Sequence, residues 1–355
     1  PFQMVISDWT MPKMDGLELL RRIRSFEGVG YVYTILLTAH SEKEDILAGM
    51  ESGADDFIAK PFDQDELLAR LKVGLRITNL EQDLAKRNYE LGKINARMHR
   101  DLEAAAKIQQ SFLPTKLPEC DEVEFAWKYV PCDELAGDTL NVFYLDKEHI
   151  GLYLLDVSGH GVSAALLSVN LSRALNPNPG QSNLLKELTP ESPGYKIVQP
   201  EDVAERLNQR FPLDVNTGQY FTMQYGQLNI ESKVFKFFSA GHPPMIQIKK
   251  DGSSKAVKVR SMPIGFVVGA GKIYKEQILN LATGDRLYLY SDGIIEAMNP
   301  EREQFGVDRL CEHLSKFRSL PLSETLDQIS AEIDRWTVGK GCGDDLSVLA
   351  LEIKN

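Results

Sequence analysis

The sequence has few of the features that mark secreted, membrane or nucleic-acid-binding proteins. Its four cysteines lie far apart, with no CxxC pair, at positions 120, 132, 311 and 342, which fits reduced thiols better than a disulfide framework. No apolar run approaches the ~20 residues that a membrane helix needs, and no signal peptide is present. Lys and Arg form no cluster, and the net charge is −11, which argues against nucleic acid as a partner. We therefore expect a cytoplasmic protein that binds neither membrane nor nucleic acid.

The length and composition predict several globular domains. The chain has 355 residues, of which 43% are hydrophobic and 26% charged, and this length predicts about two or three domains. It starts at Pro1 without an initiator methionine, which suggests a start inside a domain. Patterning along the chain predicts three segments: an α/β domain over 1–74, a helical linker over 75–113, and an α+β domain over 114–355.

The first segment alternates short apolar runs with amphipathic stretches, from MVISD to DQDELLARLKVGL. This order predicts a parallel sheet with helical crossovers. Asp8, Thr38 and Lys60 each stand where a strand should end, so the three side chains should meet at one edge of the sheet. Taken singly, Asp8 could be a cap or turn residue and Thr38 an ordinary β-former.

In this order the three residues resemble the receiver domain of two-component response regulators, which has a flavodoxin-like parallel sheet. The resemblance implies that Asp8 accepts a phosphoryl group from a histidine kinase with the help of Mg²⁺. Lys60 would pair with the new charge, and Thr38 would act as the hydroxyl switch. The acidic pair that holds Mg²⁺ in receivers is not in this sequence. We therefore expect a receiver without its first strand, first helix and second strand, which is phosphorylated poorly if at all as given.

The second segment has one glycine and no proline between residues 75 and 113, and it shows a seven-residue apolar repeat. Nine of eleven repeat positions are apolar, in two registers: Ile77, Leu84, Leu91, Met98, Ala105 and Phe112, and Leu80, Arg87, Ile94, Asp101 and Ile108. This predicts a coiled coil and a homodimer of parallel helices. The alternative is a single amphipathic helix that lies on its own domain.

The third segment combines many apolar runs of strand length with a few helical stretches. Strands are predicted at FAWKYV, VFYLD, IGLYLLDV, FTMQYGQLNI, VFKFFSAG, MIQIKK, RLYLYSDG and LSVLALEI. Helices are predicted at VSAALLSVNLSRAL, EDVAERLNQRF, GVDRLCEHLSKF and SETLDQISAEIDRW. Together they predict a layered α+β domain.

Four aspartates of this segment stand beside glycine or at the end of an apolar run: Asp138, Asp156, Asp292 and Asp344. Carboxylates on strand ends are the ligands that Mg²⁺ and Mn²⁺ prefer. Grouped in one cleft, they could not all stay ionised without a cation, because like charges raise each other's pKa. Singly, each could be a turn residue.

Residues 106–355 resemble the metal-dependent serine/threonine phosphatases of the bacterial stress-response and sporulation type, in the PPM (PP2C-like) family. The matching motifs are AKIQQSFLP, AGD, DVSGHG, SAGHPP, YSDGIIEA and GDDLS. The resemblance implies two packed antiparallel sheets flanked by helices, around two Mn²⁺ or Mg²⁺ ions.

The resemblance also assigns roles to individual residues. Asp156 would bridge both ions, Asp138 would bind one, and Asp292 with Asp344 would bind the other; the carbonyl of Val157 would complete the set. His160 could protonate the leaving serine or only shape its loop, and His242 would buttress a turn. Asp345 could exchange roles with Asp344. Asn141 replaces a further carboxylate of many relatives, which puts a third metal in doubt.

The leading interpretation is a response regulator whose output is dephosphorylation of phosphoserine or phosphothreonine on a protein, with an anti-anti-sigma factor as the implied substrate. The alternative is a degenerate phosphatase domain that acts as a signal-dependent binding adaptor. A DNA-binding output would need a basic helix-turn-helix, which residues 114–355 do not offer. The sequence does not indicate whether phosphorylation of Asp8 would activate or restrain the phosphatase, because both would use the same residues.

Overall fold

The computed structural model describes residues 2–26, 30–39, 47, 49–178, 184–213, 218–266, 273–339 and 343–354. The chain forms two compact units, residues 1–100 and 101–355. The amphipathic stretch KEDILAGMESG is also predicted to form a helix, but its residues 43–46 and 48 lie outside the described residues, and so does Cys342. Among the described residues, no helix combines the length and apolar content required to cross a bilayer.

The first unit contains a three-stranded parallel sheet, as the alternating pattern predicted. Its elements are β1 (Met4–Asp8), α1 (Gly16–Ser25), β2 (Tyr33–Thr38) and β3 (Asp56–Ala59), with strand order β1-β2-β3. Both strand pairs are parallel. The strands therefore end at the same edge of the sheet, and this edge carries the predicted receiver residues.

Helix α2 runs without interruption from Gln64 to Gln110. Its first turns pack on the parallel sheet through Leu67 and Leu71, and the absence of proline lets the backbone ladder continue. From residue 80 onward its apolar repeat faces solvent: six residues are more than half exposed, namely Leu80, Leu84, Leu91, Ile94, Met98 and Ile108. A single helix packed on its own domain would cover such a stripe, so the exposure favours the coiled-coil interpretation.

The second unit is built on two five-stranded antiparallel sheets. One sheet has the order β13-β10-β9-β6-β5 and the other β12-β11-β14-β15-β4, and a separate hairpin pairs β7 with β8. The strands are β4 (Val123–Val130), β5 (Thr139–Tyr144), β6 (His149–Val157), β7 (Lys186–Leu188), β8 (Tyr195–Ile197), β9 (Phe221–Asn229), β10 (Val234–Ala240), β11 (Met245–Ile248), β12 (Ser254–Val257), β13 (Gln277–Asn280), β14 (Arg286–Tyr290) and β15 (Leu346–Ile353).

Helices cover the outer face of each sheet. They are α3 (Val162–Ala174), α4 (Pro200–Arg210), α5 (Asp292–Ile295), α6 (Gly306–Lys316) and α7 (Leu322–Trp336). Three buried clusters separate the layers: α3 and α4 against the first sheet, sheet against sheet, and α6 and α7 against the second sheet. All eight predicted strands and four predicted helices of this unit are present. The short elements β7, β8, β12, β13 and α5 were not predicted, because three or four residues show too little periodicity.

Candidate metal centre

The first sheet supplies one pair of the predicted aspartates. Asp138 directly precedes β5, and Asp156 is the penultimate residue of β6. Thr139 pairs with Leu155 in the antiparallel ladder, so the register places Asp138 beside Asp156. The hairpin between the two strands therefore brings together two carboxylates that are 18 positions apart in the sequence.

The second sheet supplies the other pair at the matching end of its strands. Asp292 is the first residue of α5, two positions after β14, and Asp344 lies two positions before β15. Tyr290 pairs with Val348 across these strands. The two sheets thus each present two carboxylates, and only the packing of one sheet on the other can bring the two pairs together.

The pKa values show that these carboxylates lie within range of one another's charge. Burial raises the pKa of Asp156 to about 8, and the charges of Asp292, Asp344, Asp345 and Glu296 add to the rise. Burial also raises the pKa of Asp292 to about 6, with contributions from Asp344 and Glu296. Glu296 is not among the residues that the sequence predicts for the site; it stands four residues after Asp292 in YSDGIIEA, where a single helical turn returns it to the same side.

Asp138 is the most deeply buried member of the group. Its side chain is 2% exposed, and its Oδ2 atom has no hydrogen-bond partner among the described residues. Burial holds its pKa well above the ordinary range, and the charge of Asp156 raises it further, while the hydroxyls of Ser347 and Ser291 oppose the rise. A buried carboxylate oxygen without a partner carries a large desolvation cost that a bound cation would remove.

Two glycines beside the aspartates allow neighbouring backbone segments to lie in close contact. A Cβ atom on Gly137 would lie 2.7 Å from the carbonyl oxygen of Val157, so only glycine lets the loop before Asp138 lie against this carbonyl. Similarly, a Cβ atom on Gly293 would collide with the carbonyl oxygen of Asp345. These contacts hold both pairs of aspartates and the Val157 carbonyl at one end of the sandwich.

The donor set fits hard divalent cations. Its side-chain donors are carboxylates on strand ends and at a helix start, with a backbone carbonyl beside them, which is the oxygen-rich chemistry of Mg²⁺ and Mn²⁺ sites. A bound cation would lower the carboxylate pKa values that burial and mutual repulsion now raise. The orphaned oxygen of Asp138 and the raised pKa of Asp156 both fit a centre whose carboxylates would bind divalent cations.

Asp345 has a different environment from Asp344. Its Oδ1 accepts a hydrogen bond from the backbone N–H of Cys132 (2.9 Å), and its Oδ2 accepts from the N–H groups of Gly137 (2.8 Å) and Asp138 (3.4 Å). Among the described residues, the Asp344 side chain accepts only from the neighbouring backbone N–H of Asp345 (2.8 Å), and Asp344 is exposed. Both oxygens of Asp345 thus fix the loop that presents Asp138, which leaves Asp344 as the better candidate for the exposed metal ligand.

Gln109 is a residue whose role the sequence analysis did not identify, although its motif AKIQQSFLP was singled out. It lies near the end of α2 and is buried. Its side-chain amide donates to the carbonyl of Ala136 (2.6 Å) and to the Ser168 hydroxyl (3.0 Å), and its carbonyl oxygen accepts from the N–H of Ala136 (3.2 Å). The last turns of the long helix are therefore bonded to the residue two positions before Asp138.

The two histidines lie in opposite environments. The side chain of His160 is 77% exposed, and its Nδ1 lies 3.4 Å from a carboxylate oxygen of Asp133. His242 is buried, its Nδ1 lies 2.6 Å from the Thr222 hydroxyl, and burial lowers its pKa to about 3. His242 is therefore neutral and in contact with β9, so of the two only His160 is placed to exchange protons with a ligand in solvent.

The edge of the parallel sheet brings Asp8 and Lys60 together. The Lys60 ammonium donates a hydrogen bond to Oδ1 of Asp8 in a partly exposed ion pair. Thr38 ends β2, its side chain is buried, and its carbonyl accepts from the N–H of Lys60 (2.7 Å). The three strand ends thus meet at one edge, as their spacing predicted.

The first unit has the parallel sheet of a receiver domain. A long helix follows, and then a domain of two sheets with helices on both outer faces. This order defines a response regulator joined to a PP2C-like phosphatase fold. Residues 1–72 match the response regulator receiver domain, and residues 146–354 match the Stage II sporulation protein E (SpoIIE) family. The second match covers more than half of the chain, which therefore belongs to the SpoIIE family.

Curated relatives and solved structures agree with this assignment. The chain is 26% identical over 262 residues to phosphoserine phosphatase RsbP of Bacillus subtilis, covering 74% of this chain and 59% of the relative. It is 28% identical over 204 residues to phosphoserine phosphatase RsbU of the same organism, covering 57% and 56%. The chain thus spans somewhat more than half the length of these relatives. The SiaA-PP2C domain of Pseudomonas aeruginosa shares its fold, with a TM-score of 0.59 at 19% identity, over 74% of this chain and 99% of that domain.

Proposed function

We propose that the chain is a response regulator whose second unit hydrolyses phosphoserine or phosphothreonine on a protein, through a water activated by divalent cations. The observation that carries the proposal is the meeting of Asp138, Asp156, Asp292 and Asp344 from both sheets, with pKa values that burial and mutual repulsion raise. The names of RsbP and RsbU as phosphoserine phosphatases support the substrate class.

In the proposed mechanism, two Mn²⁺ or Mg²⁺ ions supply a water of lowered pKa and neutralise charge on the phosphoryl group. Asp156 would hold both ions, Asp138 one of them, and Asp292 with Asp344 the other, with the carbonyl of Val157 completing the set. Bound ions would keep the buried carboxylates ionised, and the ends of β5 and β6 hold the backbone of Asp138 and Asp156 in place. No covalent intermediate on the protein is required.

His160 is the proposed proton donor to the leaving serine oxygen. Its exposed ring lies on the loop that follows Asp156, and histidine is the side chain that most often acts as a general acid in catalysis. Burial raises the pKa of Asp344, while the backbone N–H of Asp345 and the nearby His160 ring oppose the rise. The ring is therefore close to the metal ligands and open to a docked phosphoprotein.

The first unit would supply the input. We propose that Asp8 accepts a phosphoryl group from a histidine kinase, with Mg²⁺, in the full-length protein, and that Lys60 then pairs with the phosphoryl oxygens instead of the carboxylate. Thr38 would turn its hydroxyl toward the same group. We also propose functional limits at 1–74, 75–113 and 114–355, with the middle segment as a dimeric coiled coil that transmits the change.

The proposed substrate is an anti-anti-sigma factor that carries phosphoserine. The alternative function is a binding adaptor whose phosphatase-like domain has little activity. Retention of all four predicted metal aspartates in one acidic cluster favours the enzyme, since an adaptor gains nothing from several carboxylates that repel one another.

Hydrolysis of p-nitrophenyl phosphate as a function of Mn²⁺ concentration tests the proposal. We expect Mn²⁺-dependent activity in the intact chain, and a loss of at least about a hundredfold in Asp292→Asn, because one ion then lacks a ligand. Asp327→Asn, which removes an exposed carboxylate on α7, is the matched control and should keep its activity. Absence of activity in the intact chain, or equal activity in Asp292→Asn, would favour the adaptor.

A further inference from the structure

His242 is a buried histidine of the SAGHPP motif that the mechanism proposed above does not use. It lies in the link between β10 and β11, where the chain crosses from the first sheet of the second unit to the other sheet. The residue is only 7% exposed. A buried polar ring on this crossing is placed to contact both sheets.

The link is bonded to β9 of the first sheet at two positions. Nδ1 of His242 lies 2.6 Å from the Thr222 hydroxyl, and the carbonyl of Pro243 accepts from the side-chain amide of Gln224 (2.6 Å). Thr222 pairs with Asp156 in the antiparallel ladder. Since directly opposite residues point to the same face of a sheet, the side chain of Thr222 lies beside that of Asp156.

Asp156 and Thr222 both point into the space between the two sheets. Along β6, Leu155 belongs to the cluster between the first sheet and its helices, and Leu154 belongs to the cluster between the sheets. Because side chains alternate along a strand, Asp156 points to the same side as Leu154. The His242 ring therefore binds the neighbour of Asp156 on the face where the cations are proposed to lie.

The other edge of the His242 ring lies toward the second sheet. Its Nε2 atom is buried without a hydrogen-bond partner among the described residues. Burial lowers the pKa of His242 to about 3, and the backbone of Tyr290 opposes this fall, as a nearby carbonyl oxygen does. Tyr290 is the last residue of β14 and stands two positions before Asp292. The ring thus lies between the neighbour of Asp156 and the strand end that leads to Asp292.

We propose that His242 is a positioning residue of the metal centre, which sets the spacing between the aspartates of the two sheets through Thr222 on one side and the end of β14 on the other. A neutral imidazole can serve both sides, because one ring nitrogen accepts a hydrogen bond and the other carries the proton. Nδ1 would accept from the Thr222 hydroxyl, and the Nε2 proton would point toward Tyr290. This inference rests on the proposed metal centre and adds to it a residue that contacts neither ion nor substrate.

Calorimetric titration of the full chain with Mn²⁺ tests the inference. We expect His242→Leu to raise the Kd for Mn²⁺ by about tenfold or more, because residues that orient metal ligands typically change affinity by this much. Thr222→Val should also raise the Kd, whereas Thr222→Ser, which keeps the hydroxyl, should leave it unchanged. The double variant should bind no more weakly than His242→Leu alone, because two residues that act through one contact do not have additive effects.

His149→Asn is the matched control. His149 begins β6, at the end of the strand opposite Asp156, and its Nδ1 lies 2.9 Å from a carboxylate oxygen of Asp146. The substitution therefore removes a hydrogen-bonded histidine from the same sheet and should leave the Kd for Mn²⁺ unchanged.

Circular dichroism shows which variants are folded, and if His242→Leu is not, the comparison of Thr222→Val with Thr222→Ser decides. The Kd of the intact chain in folded Thr222→Val or His242→Leu would overturn the inference. Effects that multiply in the double variant, or an equal rise in His149→Asn, would overturn it too.

Failure of the proposed function gives a different result. Mn²⁺ binding that depends on His242 and Thr222, without hydrolysis of p-nitrophenyl phosphate, would reject the phosphatase and keep the positioning role. Hydrolysis with the same Kd in the intact chain and in all variants would reject only the positioning role. An intact chain that binds no Mn²⁺ would reject both.

Discussion

Replacing Asp156 with asparagine should make the metal-free protein more stable while abolishing its response to metal. In the structure, burial and neighbouring carboxylates raise the pKa of Asp156 from 3.8 to about 8. Each pKa unit corresponds to about 1.4 kcal/mol, so the difference in the pKa of Asp156 between the folded and unfolded states lowers the stability of the metal-free protein by on the order of 4 kcal/mol at pH 7. The neutral amide introduced by Asp156→Asn would avoid this cost, although it would still need hydrogen-bond partners.

The pH dependence determines whether Asp156→Asn raises or lowers the stability of the metal-free protein. Between pH 4 and pH 8 the folded protein holds a proton on Asp156 that the unfolded chain has released, so the stability of the metal-free protein falls as pH rises through this window. Below pH 4 the side chain is protonated in both states, and the cost disappears. The advantage of Asp156→Asn should therefore be near zero at pH 4, grow with pH, and level off above pH 8.

Thermal unfolding of the chelator-treated full chain provides the assay. For a unit of this size, 1 kcal/mol shifts Tm by roughly 2 to 4 °C, so we expect Asp156→Asn to unfold several degrees higher at pH 8. Mn²⁺ should raise the Tm of the intact protein but not that of the variant. Asp327→Asn removes an exposed ion pair with Lys128, worth at most about 1 kcal/mol, and should leave the response of Tm to Mn²⁺ unchanged. An advantage that grows as pH falls, or a metal-free variant less stable than the intact protein at pH 8, would refute the electrostatic reasoning.

Three further predictions concern other parts of the chain. Gln109→Ala removes the partner of the backbone N–H and C=O of Ala136, so it should destabilise the fold by about 1 to 3 kcal/mol and raise the Mn²⁺ concentration for half-maximal activity. The control Gln110→Ala, at an exposed position, should change neither quantity. Equal effects of the two substitutions would contradict the role of Gln109. Leu91→Lys should abolish dimerisation through the proposed coiled coil, measured by light scattering, because it places a charge in the apolar stripe, while Asn95→Lys should leave dimerisation intact. His160→Ala should slow hydrolysis of a phosphoserine peptide far more than that of p-nitrophenyl phosphate, whose leaving group needs no proton; equal slowing would exclude His160 as the acid.

The alternating and helical patterns predicted most of the elements, because each long strand and helix buries a regular face. The residues at strand ends were also predictable: Asp8, Thr38 and Lys60 follow from the rule that parallel strands finish at one edge of a sheet. Glu296 and Gln109 were missed as parts of the site. Glu296 shows no pattern distinct from a solvent-facing helix residue, and Gln109 differs from its exposed neighbour Gln110 only in the direction of its side chain.

The distinct environments of Asp344 and Asp345 could not be assigned from the sequence either. Two adjacent aspartates cannot be told apart from the sequence, because which of them is exposed depends on the position of the loop of residues 132–138. In the structure that loop donates three backbone N–H groups to Asp345. Hydrogen bonds from this distant loop therefore make Asp345 a positioning residue and leave Asp344 as the candidate ligand.

The sequence by itself determined the order of the elements, the receiver residues, the apolar stripe of the long helix and the four aspartates, because each depends on local periodicity or on a strand end. The tertiary structure alone decided which side chains share one pocket. Asp138 and Asp156 come from one sheet and Asp292 and Asp344 from the other, so their charges meet only when the two sheets pack. The same packing places Cys132 beside two of these carboxylates, more than 200 positions away in the chain, and long-range burial of this kind leaves no periodic signal in a sequence.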